Sequence, residues 1–498
     1  MKTKIKALME SILSYSDCLR NSNLDIQEAV HKLNTLQSNK ATIAQIRKDI
    51  KTGQKCTNLE DMENYLMRSG VLMTTLDKLS VIHVAGTKGK GSTSAMCESI
   101  LRAHGYRTGF YSSPHLIAVR ERIRLAGKPL SEELFAQHFH RVYDALYKTQ
   151  AYDGDMPKYF AFLTVLAFNV FLEEKVDVAV VEVGIGGIVD YTNVLRKVPV
   201  VGVTSLGLDH TAILGTTLPE IASAKAGVMK PGCLAYTVHQ EPEAMEVLKK
   251  KASDVHCPLA ITPNYDTYTF QNGLRLSIKL EAYRMNASLA IQLAHAWMKI
   301  SSKNLINDNT YNIDKNAENN LLINRLPKET VIGLRDCKWP GRYHIVETEF
   351  GCVYLDGAHT KESIQICARW FEENYRYRDK VLIFSATGDR DAEVLLKQLS
   401  HLHFDNVYFV IPIAHKEVSN KNDNYSVLEH NELISRCYLH ADIWEKINKN
   451  TKDITVLECV SDALLHINHH KQKSILVTGS LHLVGAVLSI IDPNLNDS

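Results

Sequence analysis

Between Val84 and Ala95 the chain reads VAGTKGKGSTSA, with glycines, lysines and a Ser/Thr pair where the β-branched run LSVIHVAG gives way to a helical stretch. Glycines at such a joint let backbone N–H groups approach an anion, and the new helix N-terminus adds its dipole. Gly86, Gly89 and Gly91 are expected to cradle phosphate, Lys90 to reach terminal phosphates, and Ser92 or Thr93 to face phosphate or magnesium. The spelling departs from the common G-x-x-x-x-G-K-[ST]. Gly91 separates Lys90 from Ser92, and Val84 stands where the opening glycine belongs. Alone, the stretch leaves open a tight turn with solvent-facing lysines.

Other groups sit at the ends of apolar runs. Glu182 closes VAVVE, where a buried carboxylate needs a cation or a donor to offset its desolvation. Asp209 and His210 follow VVGVTSLG. A carboxylate and an imidazole beside a triphosphate suggest a Mg²⁺ site, although histidine is a less usual ligand for a hard ion; a helix-capping turn is the alternative for His210. Lys225 falls in the helical stripe Leu218, Ile221, Ala222, Lys225 and Met229, in a helix expected from about Pro219 to just before Gly232. Such a lysine either snorkels to water or is held with a lowered pKa, which frees its amine for modification, carbamate formation included. Toward the C-terminus, Arg342 in WPGRYHIV could hold phosphate in a fork, and Asp356 in LDGAHTKES could accept from a ribose or orient Arg342. His359, ATGDRD (386–391) and TGSLH (478–482) add polar loop ends. GIGGIVD only half fits a dinucleotide fingerprint, because Val189 takes the place of the third glycine.

These positions need a scaffold that gathers strand ends. Buried strand-like runs alternate with helices (VDVAVVEVGIGG and VPVVGVTSLGLDH, then CVYLDGAH, KVLIFSATGDRD, NVYFVIP and SILVTGSLH). This predicts α/β architecture with parallel sheets, and ligands at the carboxyl ends of the strands. Residues 24–70 read as helical, and the Asn/Asp-rich stretch after Ser301 as a linker or surface excursion. A second α/β domain follows from about residue 330.

Composition narrows the classes. The 498 residues are 45% hydrophobic and 23% charged, with a formal net charge of +1, which argues against an electrostatic nucleic-acid binder. The longest apolar run, Phe160–Leu172, is too short to span a bilayer and contains Thr164 and Asn169, so a buried helix is expected. Ten cysteines with no C-x-x-C pair point to reduced intracellular thiols rather than to a zinc site or disulfide framework. The opening MKTKIKALMESIL lacks the apolar core of a secretory signal, and Glu10 and Asp17 make it too acidic for an Arg-rich presequence.

The ordered set GTKGKGST, YSSPHL, EVGIGG, DYTN, LDHT, AKAG, WPGR, LDGAH and TGDRD resembles the folylpolyglutamate synthases of the Mur-type ligase superfamily, from about Gln27 to Leu488. LNTLQSN and RERIRLAGKPLS resemble the eukaryotic form. The resemblance implies an N-terminal P-loop ATPase-like domain with a parallel-type sheet and a smaller C-terminal Rossmann-like α/β domain. The expected division is 1–26 as an extension, 27–300 as the ATP-binding central domain, 301–328 as an Asn-rich linker, and 329–498 as the C-terminal domain.

The implied reaction is ATP-dependent addition of L-glutamate, γ-linked, to reduced folate (poly)glutamates through an acyl phosphate. Gly89, Lys90, Gly91 and Ser92 match the ATP loop, and Asn286, Arg342 and Asp356 match further ATP contacts. Ser113 and Glu182 match ligands of one magnesium ion, and His210 a ligand of a second. Lys225 matches a lysine carried as a carbamate, so Lys225, His210 and Lys90 form the expected catalytic group. ATP as co-substrate, two Mg²⁺ sites, a monovalent cation, a monomer without nucleic-acid partner or membrane span, and a cytoplasmic location with a mitochondrial form complete the expectation. The chain departs from the family at Ala282 and Tyr283, where His-Gln is frequent, and at Ile188, where bacterial relatives often have Arg. Dihydrofolate synthase, which would share the ATP and metal residues, and an inactive nucleotide-binding regulator are the alternative functions.

Overall fold

A computed structural model describes residues 25–37, 57–270, 276, 278, 280–304, 322–386, 390–416, 423, 430–467 and 472–496. Most of the expected extension 1–26, the Asn-rich run over 305–321, Thr387 to Asp389 of ATGDRD, and the segment 38–56 within the expected N-terminal helices lie outside these residues. The chain divides into two compact units, 1–113 with 122–338, and 114–121 with 339–498.

The first unit is built on an eight-stranded sheet in the order β4-β3-β2-β5-β1-β6-β7-β8. Its strands are β1 (Val81–Ala85), β2 (Thr108–Tyr111), β3 (Ile123–Leu125), β4 (Lys128–Pro129), β5 (Val178–Glu182), β6 (Val200–Val203), β7 (Leu234–Thr237) and β8 (Leu259–Ile261). From β2 to β8 every pairing is parallel, while β3 and β4 add an antiparallel edge that the apolar runs did not announce. β1 and β5 are buried at every residue, as their unbroken Val/Ile/Ala character requires for a sheet covered on both faces. The apolar run becomes the helix Tyr159–Glu173, buried from Ala161 to Phe171. Among the described residues no helix is long and apolar enough to cross a membrane. A short parallel pair, β9 (Thr269–Phe270) with β10 (Arg325–Leu326), flanks the long helix Glu281–Asn304.

The helix Lys328–Arg335 also belongs to this first unit, so the units part at Lys338 and Trp339, beyond the expected line at 328/329. The reason is a close helix crossing: a Cβ on Gly333 would lie 2.6 Å from Ile100 Cα and 2.7 Å from Ser99 O, and Ser99 Oγ donates to Gly333 O at 2.7 Å.

The second unit holds a six-stranded sheet in the order β11-β12-β16-β13-β14-β15. The strands are β11 (His344–Thr348), β12 (Gly351–Leu355), β13 (Asp379–Phe384), β14 (Asn406–Val410), β15 (Asp453–Leu457) and β16 (Lys473–Thr478). Only β11 runs antiparallel. Pro114–Glu121 belongs to this unit. Leu116 joins its core with Val484 and Leu488, and the Glu121 carboxylate accepts from the amides of Leu116, Ile117 and Ala118 at 2.8 to 2.9 Å.

Candidate active site

β1 sits at the switch point of the first sheet, with β5 on one side and β6 on the other. Adjacent strands β2, β5, β1 and β6 therefore deliver Ser113, Glu182, the glycine-rich loop and the Asp209–His210 turn to one sheet edge. That is where a doubly wound sheet leaves a crevice.

The loop enters its helix, Lys90–Ala103, through Gly89 at φ +86°, a left-handed conformation that glycine adopts without penalty. A Cβ there would collide with Asn286 Oδ1, so the Asn286 side chain, carried by the helix Glu281–Asn304, lies directly on the loop. Thr87 and Lys88 donate their amides to Ser205 O at 3.0 and 3.1 Å, tying the loop to the segment after β6. Thr93 is wholly buried, whereas Ser92 keeps 6% exposure. Of the two residues offered by the sequence, only Ser92 retains any exposure.

Lys225 lies beneath this loop, 2% exposed, and donates from Nζ to Gly86 O at 2.8 Å. Burial, with the positive charge of Lys90 adding to it, pushes the amine down to about 7; Asp209 and Asp190 pull the other way. The lysine is buried rather than snorkelled. Its helix is Leu218–Ala226, shorter than the expected run to Gly232, and Met229 lies beyond it. Thr217 starts it with a capping box to Glu220, a T-x-x-E signal present in the sequence. Gly227 ends it where a Cβ would meet Ile188 Cβ at 2.5 Å.

The GIGG turn presses on the same helix. A Cβ on Gly187 would lie 2.7 Å from Ala224 O, and Ile188 donates its amide to that oxygen at 2.9 Å. Asn193 Nδ2 donates to Ile188 O at 3.0 Å and to Gly227 O at 3.3 Å, fastening turn to helix end. Asp190 braces the turn: it accepts from Ile185 N at 2.9 Å and from Thr192 N at 3.0 Å. Thr192 Oγ1 in turn bonds His83 Nε2 at 2.8 Å in the middle of β1, where burial holds the imidazole neutral, with a pKa of about 3. Reasoning from the sequence missed this brace, although Asp followed two residues later by Thr is an Asx-turn signal.

Glu182, 5% exposed, accepts at Oε2 from Ser113 N at 3.1 Å. A carboxylate and a serine are hard oxygen donors suited to Mg²⁺. Among the described residues no three His, Cys, Asp or Glu side chains converge as a metal cage. The donor set fits an ion completed by phosphate and water, as Mg²⁺ usually is. His210 stands apart in character. It occupies a left-handed turn at φ +51°, its side chain is 38% exposed, and its Nε2 lies 3.8 Å from Asp209 Oδ2.

In the second unit, Arg342 follows Gly341 at φ +73° and lies over Gly357, where a Cβ would meet Arg342 Nη1 at 2.5 Å. Asp356 is 4% exposed, accepts from Tyr343 N at 3.0 Å and Ala358 N at 2.9 Å, and has its carboxyl raised by burial against the opposing pull of Arg342. His359 Nδ1 faces Gly357 O at 2.8 Å. Arg342, Asp356 and His359 thus gather at the ends of β11 and β12.

Residues 343–490 match the family described as dihydrofolate synthetase, C-terminal domain. The whole chain is 38% identical to human folylpolyglutamate synthase, mitochondrial, covering 95% of this chain and 93% of that protein. It is also 38% identical to a putative folylpolyglutamate synthase of Caenorhabditis elegans, covering 93% of this chain and 92% of that protein. The crystal structure of folylpolyglutamate synthase from Thermotoga maritima, 25% identical, superposes with a TM-score of 0.64 over 87% of this chain and 93% of that chain. That from Mycobacterium tuberculosis, complexed with ADP and AMPPCP, shares the fold at 23% identity, with a TM-score of 0.66 over 88% of this chain and 95% of that chain.

Proposed function

The chain belongs to the folylpolyglutamate synthase family, and from that premise we propose how its residues divide the work of an ATP-dependent ligase that joins L-glutamate to reduced folates. ATP is the co-substrate. The terminal γ-carboxylate of the folate is phosphorylated, and the amine of the incoming glutamate displaces phosphate from the acyl phosphate to form the γ-linked amide. Such chemistry depends on positioning and charge neutralisation more than on covalent help from the protein.

Gly89, Lys90, Gly91 and Ser92 hold the phosphates of ATP, with Asn286 against the loop. Arg342 and Asp356 contribute nucleotide contacts. Ser113 and Glu182 would hold one Mg²⁺ and His210 a second; bound there, Mg²⁺ would supply positive charge against the developing phosphate charge. Lys225, kept partly neutral by burial, adds CO₂ at its amine, releases a proton to solvent, and as a carbamate presents a carboxylate beneath the loop. A monovalent cation, a monomeric state, and cytoplasmic and mitochondrial pools belong to the same reading. The mammalian relatives named as mitochondrial support the second pool.

The observation that most supports this assignment is the contact between the Lys225 amine and Gly86 O, a buried titratable group against the glycine-rich loop. The acceptor assay tests the function. Glutamate-dependent phosphate release is expected with tetrahydrofolate monoglutamate, with products lengthened by one or more glutamates by mass. Turnover with dihydropteroate alone would reassign the chain as a dihydrofolate synthase.

A further inference from the structure

Cys233 and Cys257 are both buried, with Sγ atoms 3.1 Å apart. Their nearness comes from the sheet. β7 and β8 pair in parallel with Ala235 opposite Leu259, and each cysteine stands two residues before one member of that pair. Neighbouring strands run about 4.8 Å apart, inside the roughly 4.4–6.8 Å Cα separation that a disulfide spans. Bringing the sulfurs to about 2.05 Å requires a movement of about 1 Å shared between two side chains. No other described pair of cysteines shares a hydrogen bond.

We propose that Cys233 and Cys257 are a modification site, a dithiol that closes to a disulfide on reaction with hydrogen peroxide. The Cys233 sulfur attacks one peroxide oxygen, the O–O bond breaks, and the departing hydroxide takes the thiol proton to leave as water. The Cys257 sulfur then attacks the resulting Cys233 sulfenic acid; the S–O bond breaks and hydroxide leaves as a second water with the Cys257 proton. Two thiols are oxidised by two electrons and one peroxide is reduced to two waters. The local donors favour this order. Lys230 donates its amide to Cys233 Sγ at 3.4 Å, and the hydrogen bond from Cys257 holds the Cys233 thiol below its ordinary range while that of Cys257 is pushed up. Reactivity follows thiolate character and exposure, so the peroxide reaches this buried pair when the edge strand β8 opens locally.

The link would join the amino ends of β7 and β8, enclosing the helix Pro242–Asp254, whereas the candidate active site lies at the carboxyl ends of its strands. It would pin the edge strand without reaching the ligase machinery. For cysteines 24 positions apart, closing the loop is expected to raise Tm by roughly 3–5 °C. The test treats the full chain with a few equivalents of hydrogen peroxide, blocks remaining thiols by alkylation, and maps peptides by mass. A Cys233–Cys257 linked peptide, a higher Tm that dithiothreitol reverses, and unchanged turnover are expected; Cys257→Ser should lose the linked peptide and the Tm rise together. Recovery of both wild-type cysteines singly alkylated or as sulfinic acids, without a linked peptide, would overturn the proposal.

Discussion

Replacing Lys225 by Met separates what the buried lysine costs from what it does. The amine sits near a pKa of about 7 in the folded chain against 10.5 for an ordinary lysine. At pH 7.5 roughly three-quarters of the Lys225 amines are then neutral against about 0.1% of exposed ones, a several-hundred-fold gain in the form that reacts with CO₂. The same shift has a sign in stability. The folded-state value lies below the unfolded one, so between pH 7 and 10.5 the unfolded chain binds more protons and stability rises with pH. Below the folded value the charged amine costs on the order of 5 kcal/mol. Met removes this cost but leaves Gly86 O without its donor, which offsets about 1 kcal/mol. Lys225→Met is therefore expected to be more stable than the parent near pH 6, by several °C in Tm, with the difference shrinking toward pH 10. Ligase turnover should fall by orders of magnitude while ATP still binds. Thermal unfolding across pH, with bicarbonate excluded, reads the first effect. ¹³C NMR in labelled bicarbonate reads the carbamate, whose resonance the substitution should abolish. A pH-independent Tm difference would refute the burial argument, and full turnover in the variant would remove Lys225 from the chemistry.

Other perturbations probe the surrounding parts. Glu182→Ala should abolish magnesium-dependent turnover, and turnover that kept its magnesium activation curve would move the ion elsewhere. Gly89→Ala combines a positive φ with a collision against Asn286; ATP affinity measured by calorimetry should fall at least tenfold, and unchanged affinity would mean the loop does not hold nucleotide in this conformation. Asn193→Ala removes both donors that fasten the GIGG turn to the Lys225 helix. Its expected cost is about 1 kcal/mol for the two part-buried hydrogen bonds lost, read as a lower urea midpoint, and a midpoint equal to the parent's would deny the fastening role.

What the sequence disclosed follows from which interactions are local. Strand-like runs, glycine-rich turns and helix starts are set by near neighbours, so β1, β5, β6, β12, β13, β14 and β16 were readable as apolar runs, and so was the buried helix Tyr159–Glu173. Strand order is not local. That β5 inserts between β2 and β1 and so brings Glu182 to Ser113, 69 positions away, is fixed only when the sheet closes. The same holds for the question Lys225 posed. Its stripe taken alone favoured snorkelling, and burial was decided by partners on other segments: Gly86 above it, and Gly187 and Ile188 pressing on the end of its helix. Those glycines explain why the motifs read as they do. Gly89 permits the turn that Asn286 covers, while Gly187 and Gly227 permit two backbones to meet where any side chain would push Lys225 away from the loop. The glycine-rich loop, the GIGG turn and the AKAG helix end thus meet at Lys225. The three glycine-bearing segments pack around one lysine, and its burial among them lowers the pKa of its amine to about 7.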